Sequence, residues 1–454
     1  MQSKNAYSTV VNGNFNAGSK SMLEEFDNLS SKFTFTLSQT LPANAKLDFI
    51  LDFSDGSYSD YQWLGAIGNP TYTTQAGNDI SLTITSKGTL GFNDFPNNLQ
   101  GDGFHFLEGS NLLFEGALIL ATSSTQVSDV ARGPVQGGPQ NTDFTVVQPF
   151  ILEIPGTVAD QQGSAIFNDD GAGGNKIGIT TKLESFSFAD IPHNNYIILK
   201  YNLTNNTVSS ISNLHAGLFF DWDLIDGSGA GDVTSYDSLN NLSYTNNTTS
   251  GPDTWITTAA ITSGNFSFWA IKNDGGDGGF QIYDGFTDSE KWETLSNGIG
   301  KPTAGPGDIS HVVGSGPFNI NAGETIDVGF VIGAGLNLTE LQTIVANARL
   351  KYPSLVLNAG DEENILPRSY NLTQNFPNPF NPSTLIEYSL PEEGFVSLKV
   401  YNLLGEDVIT LVNENKKAGV YTVKFDGTNL TSGVYFYRIT SGDHTMTKKM
   451  ILTK

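Results

Sequence analysis

Apolar residues along this chain fall in short runs with period-two alternation, bounded by Gly, Asn, Asp or Pro. Residues 33–37, 47–53, 80–84, 196–201 and 325–331 are five such runs. β-branched and aromatic side chains dominate them, as a pleated surface prefers. Such runs between turn residues predict half-buried strands of antiparallel sheets. One segment departs from the pattern. Residues 337–352 place Leu341, Ile344, Val345 and Ala348 on one helical face, Asn337 and Glu340 fit a capping box, and Pro353 supplies a stop. The fold class read from this is mainly β: multi-domain antiparallel β-sandwiches, with one helix at about 338–352.

The helical segment precedes a change of character. Residues 358–364 are polar and aperiodic, which suits a linker. Residues 367–454 hold 9 Lys plus Arg against 8 Asp plus Glu, whereas residues 1–366 hold 14 against 39. The net charge of −24 therefore belongs wholly to the first part. At 454 residues the length suggests about three domains. The division expected is a small β-sandwich module at 1–65, a large β-sandwich domain at 66–352, a linker at 353–366 and a last module at 367–454.

Composition removes several function classes. With no Cys there is no disulfide framework, thiolate metal site or cysteine nucleophile. An acidic chain without clustered Lys and Arg argues against nucleic acid as a partner. No stretch approaches 18 consecutive apolar residues, so no transmembrane helix is expected. No Gly-x-Ser-x-Gly elbow, Ser-x-x-Lys pair or His-Glu-x-x-His motif occurs. His193 and His311 each follow an Asp by three residues, and both read as surface or turn histidines.

The last 88 residues open on Asn375-Phe376-Pro377-Asn378-Pro379-Phe380-Asn381-Pro382-Ser383-Thr384. Three prolines fix φ and remove three donors, so this stretch should run extended along a sheet edge. Strand-like runs follow, with Gly405, Gly419, Gly433 and Gly442 at the breaks. About seven strands in so short a module fit an Ig-like seven-stranded sandwich. Alternation sets Tyr435 and Tyr437 on one face of the last hairpin, and an exposed Tyr pair beside Lys448 and Lys449 is a candidate docking surface.

The opening block, together with Val400-Tyr401-Asn402-Leu403-Leu404-Gly405, Ser432-Gly433-Val434-Tyr435-Phe436-Tyr437-Arg438 and Lys448-Lys449-Met450-Ile451-Leu452, resembles the type A C-terminal sorting domain of the type IX secretion system. The resemblance implies passage from the periplasm across the outer membrane. Its implied partners are the type IX translocon, a sortase and, after processing, a surface lipopolysaccharide. The implied location is extracellular or on the outer-membrane surface. The sorting residues it marks are Asn375, Pro377, Asn378, Pro379, Gly405, Gly433, Tyr435, Tyr437, Lys448 and Lys449. Such cargo carries a signal peptide, and residues 1–6 begin none, so either the C-terminal part of a longer precursor or a truncated gene model is expected.

In the acidic part, Asp221, Asp223, Asp226 and Asp232 gather four carboxylates in a Gly-rich stretch. Calcium or another hard cation is the candidate ligand there, although the spacing is not that of an EF-hand, and Asp as a turn former is the plainer reading. Residues 217–223, 284–292 and 305–318 resemble the β-rich region that follows the catalytic domain in secreted subtilisin-like serine peptidases, over roughly residues 20–352. No catalytic residue carries over, because no His-Gly-Thr or Gly-Thr-Ser-Met block is present. The expected function is thus a type IX-exported β-sandwich protein whose cargo is the accessory region of a peptidase. Two alternatives stand beside it. One is a carbohydrate-binding or adhesion protein using Trp63, Trp222, Trp255, Trp269 and Trp292. The other is a glycoside hydrolase using Asp221 and Asp223.

Overall fold

The structure is a computed structural model, and it describes residues 1–17, 32–38, 41, 43–55, 57–224, 229–249, 254–262, 264–356, 370–372, 375, 378–390, 393–403, 405–417, 419–442 and 444–453. The chain divides into two compact units, Met1–Tyr352 and Pro353–Lys454. Both are mainly β, with antiparallel sheets in sandwich-like arrangements. The linker expected at 353–366 lies outside the described residues from 357 onward.

The first unit holds a ten-stranded and a nine-stranded sheet, with two small sheets at its N-terminal end. Four of the five alternating runs named above fall within strands, Ala45–Ser54, Ile80–Thr85, Tyr196–Asn205 and Thr325–Gly335, and the fifth, 33–37, starts one residue before Thr34–Leu37. The boundary expected at residue 65 falls inside Ser59–Gly68, the last strand of the small three-stranded sheet.

In the large sheets, alternation sorts side chains between two layers. Leu118, Leu218, Val313 and Phe268 form one cross-strand row of the ten-stranded sheet. All four are fully buried in a core that also takes in Phe167, Leu183 and Tyr201 of the nine-stranded sheet. His311 lies on the same inner face. Its two ring nitrogens meet Thr234 Oγ1 at 3.0 Å and Thr258 Oγ1 at 2.9 Å, both on the opposing sheet. The surface or turn position expected for His311 is thereby corrected: it is 1 % exposed. Two threonine hydroxyls satisfy a ring that would otherwise be costly to bury.

The outer faces are covered too. Helix α1, Asp288–Ser296, seats on the ten-stranded sheet, and α2, Leu338–Val356, on the nine-stranded one. Glycines make room for both. A Cβ at Gly217 would lie 2.3 Å from Leu295 Cδ2 of α1, and one at Gly333 would lie 2.7 Å from Ile344 Cγ2 of α2. Strands between a core and a helix are buried on both faces, which is why residues 196–200 are all buried and not half-buried as expected.

Helix α2 matches the expected face, since Leu341, Ile344, Val345 and Ala348 are all buried. Glu340 N donates to Asn337 Oδ1 at 3.1 Å, and Asn337 Nδ2 donates to Glu340 Oε1 at 2.9 Å. Pro353 does not stop the helix, which continues to Val356. A proline in the last turn removes a single backbone donor. Helix α1 is an addition to the sequence reading. Its signal was the Thr287 to Glu290 spacing, and the structure shows both halves of that capping box.

Among the described residues the second unit has seven strands in sheets of three and four: Asn371–Leu372, Ser383–Leu390 and Gly419–Asp426 in one, and Gly394–Tyr401, Asp407–Lys416, Gly433–Ser441 and His444–Leu452 in the other. One core joins Ile386, Tyr388 and Phe425 of the first sheet to Val396, Leu398 and Tyr437 of the second.

Candidate functional site

The acidic stretch begins at the end of the strand Ile211–Trp222, in the middle of the ten-stranded sheet. Asp221 stands opposite Glu115 on one neighbouring strand and Ser310 on the other. It shares the outer face with Phe219 and Gly217, because alternate residues point the same way. Arg132 covers this row. Its Nε donates to Glu115 Oε2 at 2.7 Å, its backbone N donates to Glu115 Oε1 at 2.7 Å, and its Nη2 pairs with Asp221 Oδ2. Gln140 Nε2 adds a bond to Glu115 Oε1 at 3.1 Å. The other oxygen of Asp221 accepts from Asn273 Nδ2 at 2.8 Å and Ser310 Oγ at 2.9 Å. Asn273 Nδ2 also donates to Asp308 Oδ1 at 2.6 Å, and the Tyr283 hydroxyl donates to Asp308 Oδ2.

Glu115, Asp221 and Arg132 are all buried. Burial raises the Glu115 carboxyl above the carboxylate range despite Arg132. Burial opposes the charge of Arg132, but Glu115 and Asp221 outweigh it and hold the guanidinium ionised. Asp223, just past the strand, is pushed up to about 7 by burial and then by Asp221, Asp308 and Asp232. Asp232 is pushed up to about 6 by burial, although Leu224 N and Asn247 Nδ2 donate to it at 3.0 and 2.7 Å.

Of the four carboxylates proposed for a cation, the structure shows Asp221, Asp223 and Asp232, and Asp226 lies outside the described residues. Asp221 is engaged by a guanidinium, an amide and a hydroxyl, so its donor set does not fit a hard cation. Among the described residues, no three His, Asp or Glu side chains are placed to hold a metal ion. The arrangement is a charge-balanced polar clamp: one arginine ties the segment after the strand Gln126–Asp129 to two adjacent strands. Its members Glu115 and Arg132 carry no motif.

The five tryptophans do not share a face. Trp222 is fully buried, Trp269 stacks on Phe280, and Trp255 stacks on Tyr244. Trp63 is exposed, as is Tyr61 two residues before it on the same face of Ser59–Gly68.

In the second unit, the proline-rich segment follows the edge of the strand His444–Leu452, as its missing donors require. Phe380 N donates to Ile451 O, Thr453 N donates to Phe380 O, both at 2.9 Å, and Asn378 Oδ1 accepts from Ile451 N at 2.8 Å. Pro379 lies within this segment, and Pro377 lies outside the described residues. Asn375 N donates to the Tyr437 hydroxyl at 2.7 Å, which ties the segment to the strand Gly433–Ser441. Gly405, at φ +79°, closes the turn after Gly394–Tyr401 with a bond from its N to Asn402 O. Gly433 starts its strand.

The exposed Tyr pair expected here is corrected. Tyr435 and Tyr437 are both buried, because their face of the sheet is the inner one, and the Tyr435 hydroxyl donates to Thr431 O at 2.8 Å. Lys448 and Lys449 are exposed but lie on opposite faces of the edge strand, opposite Tyr437 and Phe436 respectively. They make no joint surface with the tyrosines. A lysine on the inner side of an edge strand instead discourages pairing with other strands.

Among the described residues no helix is long and apolar enough to cross a membrane. No curated protein matches the sequence. Among solved structures, a polysaccharide lyase aligns at 9% identity and TM-score 0.26, covering 84% of this chain and 47% of that one. Dimeric latent PorU from Porphyromonas gingivalis aligns at 9% and TM-score 0.17, covering 93% and 36%. PorZ from the same bacterium aligns at 9% and TM-score 0.14, covering 90% and 58%. The chain spans less than half the length of the first two, and at these scores none of the three carries an argument. Residues 374–453, the edge-following segment and the sandwich built behind it, match the family model of the secretion system C-terminal sorting domain, which implies export by type IX secretion to the cell surface or beyond.

Proposed function

We propose that residues 1–352 are the cargo of this export signal and serve as the non-catalytic, β-rich accessory region of a larger secreted peptidase. The match of residues 374–453 to the sorting family carries the export part. The cargo part is supported by contiguity. The three blocks that resemble the post-catalytic region of subtilisin-like peptidases meet in one place: residues 217–223 and 305–318 include paired strands of the ten-stranded sheet, and residues 284–292 lead into α1 on its outer face. Segments far apart in sequence thus trace one structural unit. In this reading the translocon and a sortase are the partners of the second unit, and lipopolysaccharide is the anchor after processing. Deleting residues 367–454 in a type IX-competent host is expected to leave the protein in the periplasm. Undiminished export of the truncated chain would overturn the proposal. For the cargo, the reading expects an open frame upstream that encodes a serine-peptidase domain, and a stop codon there would remove the peptidase.

A second reading has one observation in its favour. Tyr58, Tyr61 and Trp63 are all more than half exposed on the small N-terminal sheet, and rings of this kind stack on sugars. Retention on polysaccharide that is lost in Trp63→Ala would favour a carbohydrate-binding cargo, and no retention on any glycan would remove it.

A further inference from the structure

Lys291 sits in α1, with its side chain fully buried. Its Nζ lies 2.8 Å from Oδ1 of Asp129, a side chain that is also fully buried. A helix on the outside of a sandwich ordinarily points its lysines to solvent, and this one points inward to meet an acid 162 positions away. The surroundings are pre-arranged. Phe286 lies 5.7 Å from Nζ. Asp129 is held by Ala131 N on Oδ1 at 2.9 Å and by Asn141 Nδ2 on Oδ2 at 3.0 Å. Asp143 Oδ2 accepts from Asp129 N at 3.0 Å, and the charges of Asp143 and Asp288 both act on the pair. A cavity of about 220 Å³, lined in part by Asn141, Asp143 and Asp288, lies alongside.

We propose that Lys291 and Asp129 join through an intramolecular amide bond, which closes a loop of more than 160 residues and fixes α1 to the end of the strand Gln126–Asp129. Contact with Oδ1 puts the amine within near-attack range of the carbon that bears it. A proton first passes from the ammonium to the carboxylate, leaving a neutral amine and a neutral acid. The nitrogen lone pair then attacks Cγ. Asp143 takes the proton from the new ammonium centre and returns it to the departing hydroxyl. The C–O bond breaks, the C–N bond remains, and one water leaves toward the cavity. No oxidant, reductant or cofactor is needed. Asp143 suits the relay because its carboxyl is held on Asp129 N at 3.0 Å and lines the adjoining cavity, and burial, ahead of its charged neighbours, pushes it up to about 6. The product also removes two charges from a place where charge is costly. In a chain without Cys, such a bond supplies the covalent cross-link that disulfides give other exported proteins.

The test is the mass of the purified full chain after denaturation. The wild type is expected to be lighter than the calculated mass of the linear chain by one water, and its digest is expected to contain a branched peptide joining the segments around Asp129 and Lys291. A mass equal to that of the linear chain, with both segments recovered as separate peptides, would overturn the proposal whether or not any variant folds. Lys291→Met is expected to regain the missing water. Asp143→Asn is expected to leave the two peptides unjoined, and joining at the wild-type yield in that variant would overturn the relay assigned to Asp143.

Discussion

Arg132 joins two buried carboxyls on adjacent strands of the first unit. It holds Glu115 and Asp221 together and lies 5.6 and 5.5 Å from the ring centres of Phe95 and Phe219. Replacing it with Leu strands two buried carboxyls. The expected loss is about 3–5 kcal/mol in denaturant unfolding, and a loss under about 1 kcal/mol would mean that water already reaches the pair. The same geometry predicts the response to metal removal. With Asp221 engaged by Arg132, Asn273 and Ser310, a chelator is expected to leave the melting temperature unchanged, and a fall would place a cation near Asp223 and Asp232. Two residues also make stability depend on pH, with opposite signs. Burial lowers His311 from 6.5 to about 3, so its contribution is present above 6.5 and is lost as pH falls toward 3. Asp223 is raised from 3.8 to about 7, so its contribution is present below 3.8 and is lost as pH rises through 7. Relative to wild type, His311→Gln is expected to flatten the acid limb and Asp223→Asn the limb between 4 and 7. Parallel curves in either comparison would contradict the burial that produces the shift.

At the scale of elements, both helices depend on glycines beneath them. Gly217→Ala would set a methyl group 2.3 Å from Leu295 Cδ2 and 2.9 Å from Val313 O. We expect a cost of about 1–3 kcal/mol, partly relieved by adding Leu295→Ala, as a double-mutant cycle would measure. Additive effects would show that α1 does not rest there. The two helices also differ in how far the sequence revealed them. Helix α2 was legible because its cap and its four apolar residues recur at helical spacing. Helix α1 is nine residues long, mixes polar and apolar side chains and buries a lysine, so no apolar stripe marks it. Strands were legible from alternation, but alternation names two faces without saying which is inward. That is why the buried Tyr435 and Tyr437 read as a surface pair. The clamp of Glu115, Arg132 and Asp221 was not legible at all, since Arg132 and Asp221 lie 89 positions apart and strand register sets only Glu115 opposite Asp221.

At the scale of the molecule, the two units differ in chemistry as well as in structure. The acidic excess lies before residue 367, and the module after it is close to neutral. Among the described residues the acidic unit buries Arg132 with Glu115 and Asp221, and Lys200 with Glu184, which suits a fold that must persist without disulfides. The near-neutral unit closes one exposed sheet edge with its own proline-rich segment. The measurement that tests the export account most directly uses a reporter protein bearing a signal peptide at its start and residues 367–454 at its end. In a type IX-competent cell the reporter is predicted to reach the surface or the medium, and in a strain lacking the translocon it is predicted to stay in the periplasm. A reporter that stays in the periplasm of both strains would contradict the account.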